Sequence, residues 1–266
     1  MERVITAVAL CALLSGCGEV PISFLEGDGS TVDPESLQSS PEQLALCAGP
    51  ILAGIDVSDV DGGLDWPSVA SAGVSFAWIK ATQGEGFVSP TFADQWSGAA
   101  AAGLTRGAYH FFDPTVDGLT QANNFLGVVG SLSSTDLPPA VDIECPDTDP
   151  NCLGYQGGTG EEPGAVIASR LSAFMSAVQT ATGKVPVVYT FRTYFAGNLV
   201  PTTAFAGDTL WIADHSHPCP VDPRPWTTAR FWQYSWTAPV AGGSYDGDRF
   251  FGSADDLAAY AAGGGP

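Results

Sequence analysis

The chain is short of positive charge. Nine Lys and Arg stand against 29 Asp and Glu in 266 residues, a formal net charge of -20. Such a chain is repelled by phosphate backbones, so nucleic acid is excluded as a partner. A neutral or cationic partner such as a sugar chain is compatible with the acidity, and so is plain solubility. Long apolar runs are also missing. Beyond the N-terminus no stretch approaches the ~20 residues needed to cross a bilayer, so the body of the chain is expected to be soluble. No Gly-x-Ser-x-Gly turn presents a nucleophilic serine, and no internal repeat is visible.

What is present begins with an export signature. Arg3 precedes the apolar run Val4 to Leu14, which ends in Leu14-Ser15-Gly16-Cys17. A short apolar segment closing on small residues reads as a signal peptide. The ending resembles the bacterial lipobox, which implies a signal over residues 1–17 and a lipid on Cys17. Localisation is then the cell envelope, membrane-anchored, on the periplasmic or cell-surface face. Residues 18–46 hold six acidic residues and no Lys or Arg, with much Ser, Gly and Pro. They are expected to form a flexible tether with a reach of roughly 30 Å. The folded domain is placed at 47–266. Four further cysteines remain, Cys47, Cys145, Cys152 and Cys219, and an even number in an exported chain favours disulfides. Cys145–Cys152 closes the shortest loop, and Cys47–Cys219 follows by elimination. His215-Ser216-His217-Pro218-Cys219 is a weak zinc pattern in a compartment where cysteines oxidise. Neither a metal nor a cofactor is expected, and the chain is expected to be a monomer.

From residue 51 onward short apolar runs alternate with small-residue helical stretches. Strands are predicted at Gly54–Ser58, Phe76–Thr82, Arg106–Phe112, Ala140–Glu144, Val185–Phe191, Leu210–Asp214, Arg230–Ser235 and near Tyr245. One helix is predicted to start at Ser89-Pro90, with Ser as N-cap and Pro at the first helical position, and to stop at Gly103. Another is predicted over Gly164–Thr182. Eight strands with interleaved helices predict an α/β fold, a single (β/α) barrel, regular or modified. In such barrels the C-terminal strand ends form the active-site mouth.

Polar residues gather at those predicted ends: Asp56, Lys80, Thr82, His110, Asp142, Glu144, Tyr189, Asp214 and Gln233. Val141-Asp142-Ile143-Glu144 is the sharpest element. Side chains alternate along a strand, so the two carboxylates share a face. Two acids this close cannot both ionise freely, and one is held protonated near neutral pH. Acetal cleavage needs that pairing: one proton donor, and one anion near the developing oxocarbenium ion. Carboxylates at a barrel mouth also bind Mg²⁺, which stays open as an alternative. Seven tryptophans, several near predicted strand ends, suit the apolar faces of pyranose rings, although core packing accounts for many of them.

Read in order, these segments resemble the glycoside hydrolase family 25 lysozymes, the N-acetylmuramidases, over about residues 54–255. The resemblance rests on Gly54-Ile55-Asp56-Val57-Ser58, Phe76-Ala77-Trp78-Ile79-Lys80-Ala81-Thr82, Arg106-Gly107-Ala108-Tyr109-His110-Phe111, Val141-Asp142-Ile143-Glu144, Leu210-Trp211-Ile212-Ala213, Phe231-Trp232-Gln233-Tyr234 and Tyr245-Asp246-Gly247-Asp248-Arg249-Phe250. It implies a modified barrel with a long groove, and hydrolysis of the β-1,4 bond from N-acetylmuramic acid to N-acetylglucosamine in peptidoglycan. Glu144 is implied as general acid/base. Asp142 is implied to position the substrate's own N-acetyl group as internal nucleophile. Asp56 and Asp246 match further groove carboxylates, and Tyr189 a tyrosine near the reacting centre. Lys80, His110, Trp211, Asp214, Gln233 and Tyr234 are expected to contact substrate. Gln83 stands where the family commonly has Glu, and Cys145–Pro163 looks like an insertion. A chitinase-like N-acetylhexosaminidase and an inactive glycan-binding lipoprotein are the competing readings.

Overall fold

In the computed structural model of the chain, residues 38–144, 164–199 and 203–263 are described, with the short segments 24–25 and 31–32. The signal, Cys17 and most of the tether lie outside the described residues, as does the Cys145–Cys152 pairing. The chain divides into two units, residues 1–38 and 39–266. In the first, Phe24–Leu25 pairs antiparallel with Thr31–Val32. The rest of this description concerns the second unit. Among the described residues no helix is long and apolar enough to cross a membrane.

Eight strands among the described residues close into a barrel: β1 (Ile51–Val57), β2 (Val74–Gln83), β3 (Thr105–Phe111), β4 (Ala140–Asp142), β5 (Val187–Phe191), β6 (Leu210–Ala213), β7 (Phe231–Val240) and β8 (Gly243–Phe251). Neighbours from β1 through β7 run parallel. The final strand β8 is antiparallel to both β7 and β1, and it closes the ring. The barrel is thus α/β and modified by one reversed strand. The reversal needs a tight turn between β7 and β8. Ala241 and Gly242 supply it with positive φ, 50° and 83°, the geometry that matches hairpin twist.

Strand alternation sorts the side chains into two cores. Phe76, Trp78, Tyr109, Ala140, Val187, Tyr189, Trp211, Phe231 and Phe250 fill the barrel interior. Ile55, Val57, Ala77, Ile79, Ala108, Val141, Val188 and Ile212 face outward into a second core. There they meet the helices α2 (Trp66–Ser71), α3 (Phe92–Ala101), α4 (Gly118–Val129), α5 (Gly164–Thr182) and α6 (Arg192–Asn198). The interior packs large rings over absent side chains. A Cβ on Gly54 would overlap the Phe76 ring, and one on Gly107 would overlap Trp78. The N-terminal end of the barrel is plugged by α7 (Ala254–Ala261), whose Leu257, Tyr260 and Ala261 join the interior core. The open end is the C-terminal one.

Residues 39–46, read from the sequence as part of a linker, belong to the folded unit. Residues 41–47 form a helix, α1 (Pro41–Cys47), within the folded unit. Ser40 caps it by accepting from the Gln43 N–H at 2.9 Å, and Pro41 opens it. Gln43 is fully buried, and its side-chain oxygen accepts from the Ala229 N–H at 2.8 Å. The Cys47–Cys219 disulfide, as expected, ties the end of α1 to the loop after β6. The same Ser-Pro signature misplaced α3. That helix begins at Phe92, two residues beyond Pro90, because Ser89 is drawn into the barrel wall by its N–H bond to the Ala81 carbonyl.

The packing predicts opposite signs for one substitution. Gly107→Ala should destabilise by about 1–3 kcal/mol, because the methyl has only the Trp78 ring and Leu137 to enter. Gly127→Ala, on the exposed face of α4 with open space around it, should stabilise by about 0.5–1 kcal/mol. Urea unfolding of both variants checks the pair. Equal effects would refute the interior packing described.

Candidate active site

Five carboxyls converge at the open end. Asp56 lies near the C-terminal end of β1, and Asp246 in β8 pairs directly with it. Asp142 ends β4 between Phe111 of β3 and Tyr189 of β5, and Glu144 follows two residues on. Asp248 sits two residues beyond Asp246 on the same face of β8, opposite Gln233. Their charges meet on two buried tyrosines. Burial first, then Asp56, Asp142, Glu144 and Asp246, push the Tyr109 hydroxyl well above its ordinary pKa. Burial, then Glu144, Asp142, Asp56 and Asp248, do the same to Tyr189. Both phenols are therefore protonated donors across the physiological range.

Gln233 organises this set from β7. Its amide nitrogen donates to Asp56 Oδ2 at 2.8 Å and to Asp246 Oδ2 at 3.3 Å. Its oxygen accepts from the Tyr189 hydroxyl at 3.0 Å and meets His215 Nε2 at 3.1 Å. Only one orientation of the amide works, since carboxylates accept and the phenol donates. That orientation fixes the imidazole as well: Nε2 must carry the proton. Gln233 is 2% exposed and its bonding capacity is taken up by protein groups. It holds Asp56 and Asp246 in place.

Asp248 is the member of the set that the sequence reading missed. It is fully buried. Its Oδ1 accepts from Trp211 Nε1 at 2.8 Å, while Oδ2 meets no amide, hydroxyl or ring N–H. Asp56, on the adjacent strand β1, lies close enough for the two carboxylates to repel each other. Burial, then the neighbouring carboxylates, hold both groups well above the ordinary carboxylate range. The barrel thereby concentrates acids without concentrating all of their charge.

The structure redistributes the remaining candidates. Lys80 stays at the mouth. Its Nζ donates to the neutral Gln83 amide at 2.9 Å and lies 5.0 Å from the Phe111 ring centre. His110 does not reach the site. Alternation turns Tyr109 inward and His110 outward, where its Nδ1 bonds Thr82 Oγ1 at 2.7 Å, its Nε2 bonds Gln121 Oε1 at 3.1 Å, and its ring stacks on Phe174. Burial, outweighing the Gln121 bond, lowers its pKa to about 4, so it is neutral. Thr82 faces outward with it because the β2–β3 register shifts between Lys80 and Thr82. Trp211 is inside the barrel but 1% exposed, stacked on Trp78 at 5.0 Å and beneath Tyr189. It is floor, not groove wall. Tyr234 packs on the outside of the barrel against Trp232 and the Arg249 guanidinium. Asp214 is a loop organiser whose carboxylate accepts from the Ser216 and Val221 N–H groups and meets His217 Nδ1 at 2.8 Å. Burial pushes its pKa up, and these bonds more than reverse that.

The acids raised by burial set the direction of stability with pH. Asp56 and Asp248 are raised, as are Asp208, to about 6, and Asp222, to about 7. The folded state then holds more protons than the unfolded state from about pH 4 upward. Stability is full below that range and is lost as pH rises through the folded-state values. The melting temperature should therefore fall between pH 5 and pH 8. Asp248→Asn keeps an oxygen to accept from the Trp211 N–H and removes one raised acid from the balance. Its fall in melting temperature over that range should be shallower than the parent's by about 2–4 °C for each kcal/mol of linkage removed. Parallel curves would contradict the raised Asp248.

Comparison with known proteins agrees with this geometry. The sequence profile of glycosyl hydrolases family 25 matches residues 55–243. The chain is 33% identical over 245 residues to Lysozyme M1 of Streptomyces globisporus, covering 88% of this chain and 80% of that protein. It is 31% identical over 219 residues to the N,O-diacetylmuramidase of Arthroderma benhamiae, covering 79% and 87%. The crystal structure of the bacterial lysozyme from Streptomyces coelicolor superposes with a TM-score of 0.73 at 33% identity, over 80% of this chain and 98% of that one. The matched span contains β1 through the β7–β8 turn, and with it Asp56, Asp142, Glu144 and Gln233: the chain belongs to glycosyl hydrolases family 25.

Proposed function

We propose that this chain is an exported muramidase that cuts peptidoglycan strands at the β-1,4 bond between N-acetylmuramic acid and N-acetylglucosamine. The observation that carries the reading is the convergence of Asp142 and Glu144 with a partly protonated acid cluster at the open end of a family 25 barrel. Glu144 lies past the strand end and is more open than Asp142, which is 6% exposed. Glu144 is therefore the group that reaches the bridging oxygen and donates its proton as the bond breaks. Asp142, one turn of the pleat deeper, faces the anomeric carbon from within and holds the acetamido group whose oxygen attacks there. Glu144, now a carboxylate, then takes a proton from the water that opens the cyclic intermediate. Asp56 and Asp246 are held at the same barrel end by Gln233.

Glu144→Gln preserves shape and removes the donor, and should lower hydrolysis of purified peptidoglycan by ~10²–10⁴-fold or more while leaving glycan binding intact. Hydrolysis at the parent rate would remove the mechanism. Borohydride reduction of the parent digest should yield muramitol. Glucosaminitol as the main product would assign a glucosaminidase, and free peptides with intact glycan an amidase.

The anchor is part of the same proposal. A lipid on Cys17 would hold the enzyme at an envelope membrane, with the acidic tether letting the barrel reach nearby glycan. Stable attachment needs more than one acyl chain. Cys17→Ser should move the protein from the membrane to the soluble fraction and abolish labelling by a fatty-acid probe. Labelling that persists in the variant would refute the lipid site.

A further inference from the structure

The β7–β8 hairpin departs from its ladder at one place. Its register shifts between Gln233 and Ser235 and again between Ser235 and Ala238. Two irregularities within five residues are a local device, since bulges re-aim side chains and terminate pairing beside functional sites. The residue lifted out is Trp236. It is 67% exposed, and among the described residues it is the only tryptophan of the chain's seven in the exposed class. Leaving so large an apolar ring in water costs burial energy. The hairpin does so with local order, as the Thr237 N–H bonds Ser235 Oγ at 3.1 Å.

The ring is not loose. His215, from the loop after β6, packs against it with centroids 4.0 Å apart and planes at 60°. His215 in turn bonds Gln233, which holds Asp56 and Asp246. Three consecutive contacts therefore run from an exposed indole to the carboxyl cluster. Burial, opposed by the Gln233 bond and Asp214, lowers the His215 pKa. With Nε2 donating to Gln233, Nδ1 is left as an acceptor edge beside the indole. A flat apolar face with an adjacent lone pair describes a seat for a ring bearing hydroxyls.

We propose that Trp236, backed by His215, is a sugar-binding platform that stacks one pyranose ring of the glycan strand next to the pair being cut. The proposal rests on the reading of the acid cluster as a glycan-cleaving site. It gives the exposed indole a partner and explains why the hairpin gives up ladder bonds there. The seat adds length to the groove, so strands of several sugars should bind better than disaccharides. The His215–Gln233 contact ties that occupancy to the position of Asp56.

The test uses the full mature chain carrying Glu144→Gln, so that bound glycan is not consumed. The probe is a tetrasaccharide of alternating N-acetylglucosamine and N-acetylmuramic acid prepared from peptidoglycan. Binding is measured by calorimetry, and acrylamide quenching of tryptophan fluorescence reports on the exposed indole. The tetrasaccharide should bind and should protect the fluorescence from quenching. Adding Trp236→Ala should weaken binding about 10-fold and abolish the protection, with an unchanged melting temperature. Trp236→Phe should recover most of the affinity, since a flat ring remains. Equal affinity in the Trp236→Ala protein would overturn the platform and leave the cleavage site standing. No binding by the Glu144→Gln parent would overturn the sugar site itself, and the platform with it.

Discussion

One amide holds the site together. Gln233 is the only kind of side chain that could do so: two donors for two carboxylates and one oxygen for a phenol and an imidazole. Its position follows from the closure of the barrel. β7 lies between parallel β6 and antiparallel β8, so an inward residue level with the C-terminal end of β6 faces β1, β5 and β8 at once. Asp56, Tyr189 and Asp246 come from those three strands, and His215 from the loop after β6. A carboxylate at 233 would add charge where there is already excess, and an apolar residue would leave four polar groups without their partner. An unsatisfied buried polar group costs about 1–3 kcal/mol, more when it is charged.

Charge is the second constraint. Burying Asp56, Asp142 and Asp248 as three anions within one barrel mouth would cost several kcal/mol each, against a domain's net stability of about 5–15 kcal/mol. The molecule avoids this by keeping protons. Burial and mutual repulsion hold Asp56 and Asp248 well above the ordinary carboxylate range, the tyrosines Tyr109 and Tyr189 keep their protons, and Lys80 contributes a positive charge at the rim. A crowd of acids that retains protons also retains acid capacity at neutral pH. That is the property a proton donor to a glycosidic oxygen needs, and it links the fold's electrostatics to its chemistry.

Much of this was legible in the sequence because strand alternation is a strict rule. Asp142 and Glu144 share a face by spacing alone, and the same spacing relates Asp246 to Asp248. Asp248 was nonetheless overlooked, although the identical argument applied. His110 shows the complementary error. Being at a strand end says nothing about which face a residue takes, and the neighbouring Tyr109 was the inward one. Thr82 was beyond reach of alternation, because the register shift beside it reverses the count. Trp236 was equally hidden, since the predicted strand stopped at Ser235 while β7 runs to Val240 through two irregularities. Helix signals were ambiguous for a physical reason. Ser-Pro favours helix starts locally, and it began α1 at Pro41 but failed at Ser89, where a barrel strand claimed the backbone.

The central claim is that the acids at the barrel mouth hold fewer charges than carboxyls. The direct measurement is a carbon-13 titration of the Asp and Glu side-chain carboxyls in the folded protein. The account predicts that the Asp56 and Asp248 resonances move together, well above the ordinary carboxylate range of about 4, and that Asp56→Asn uncouples Asp248. Independent ionisation of Asp56 and Asp248 near pH 4 would contradict it.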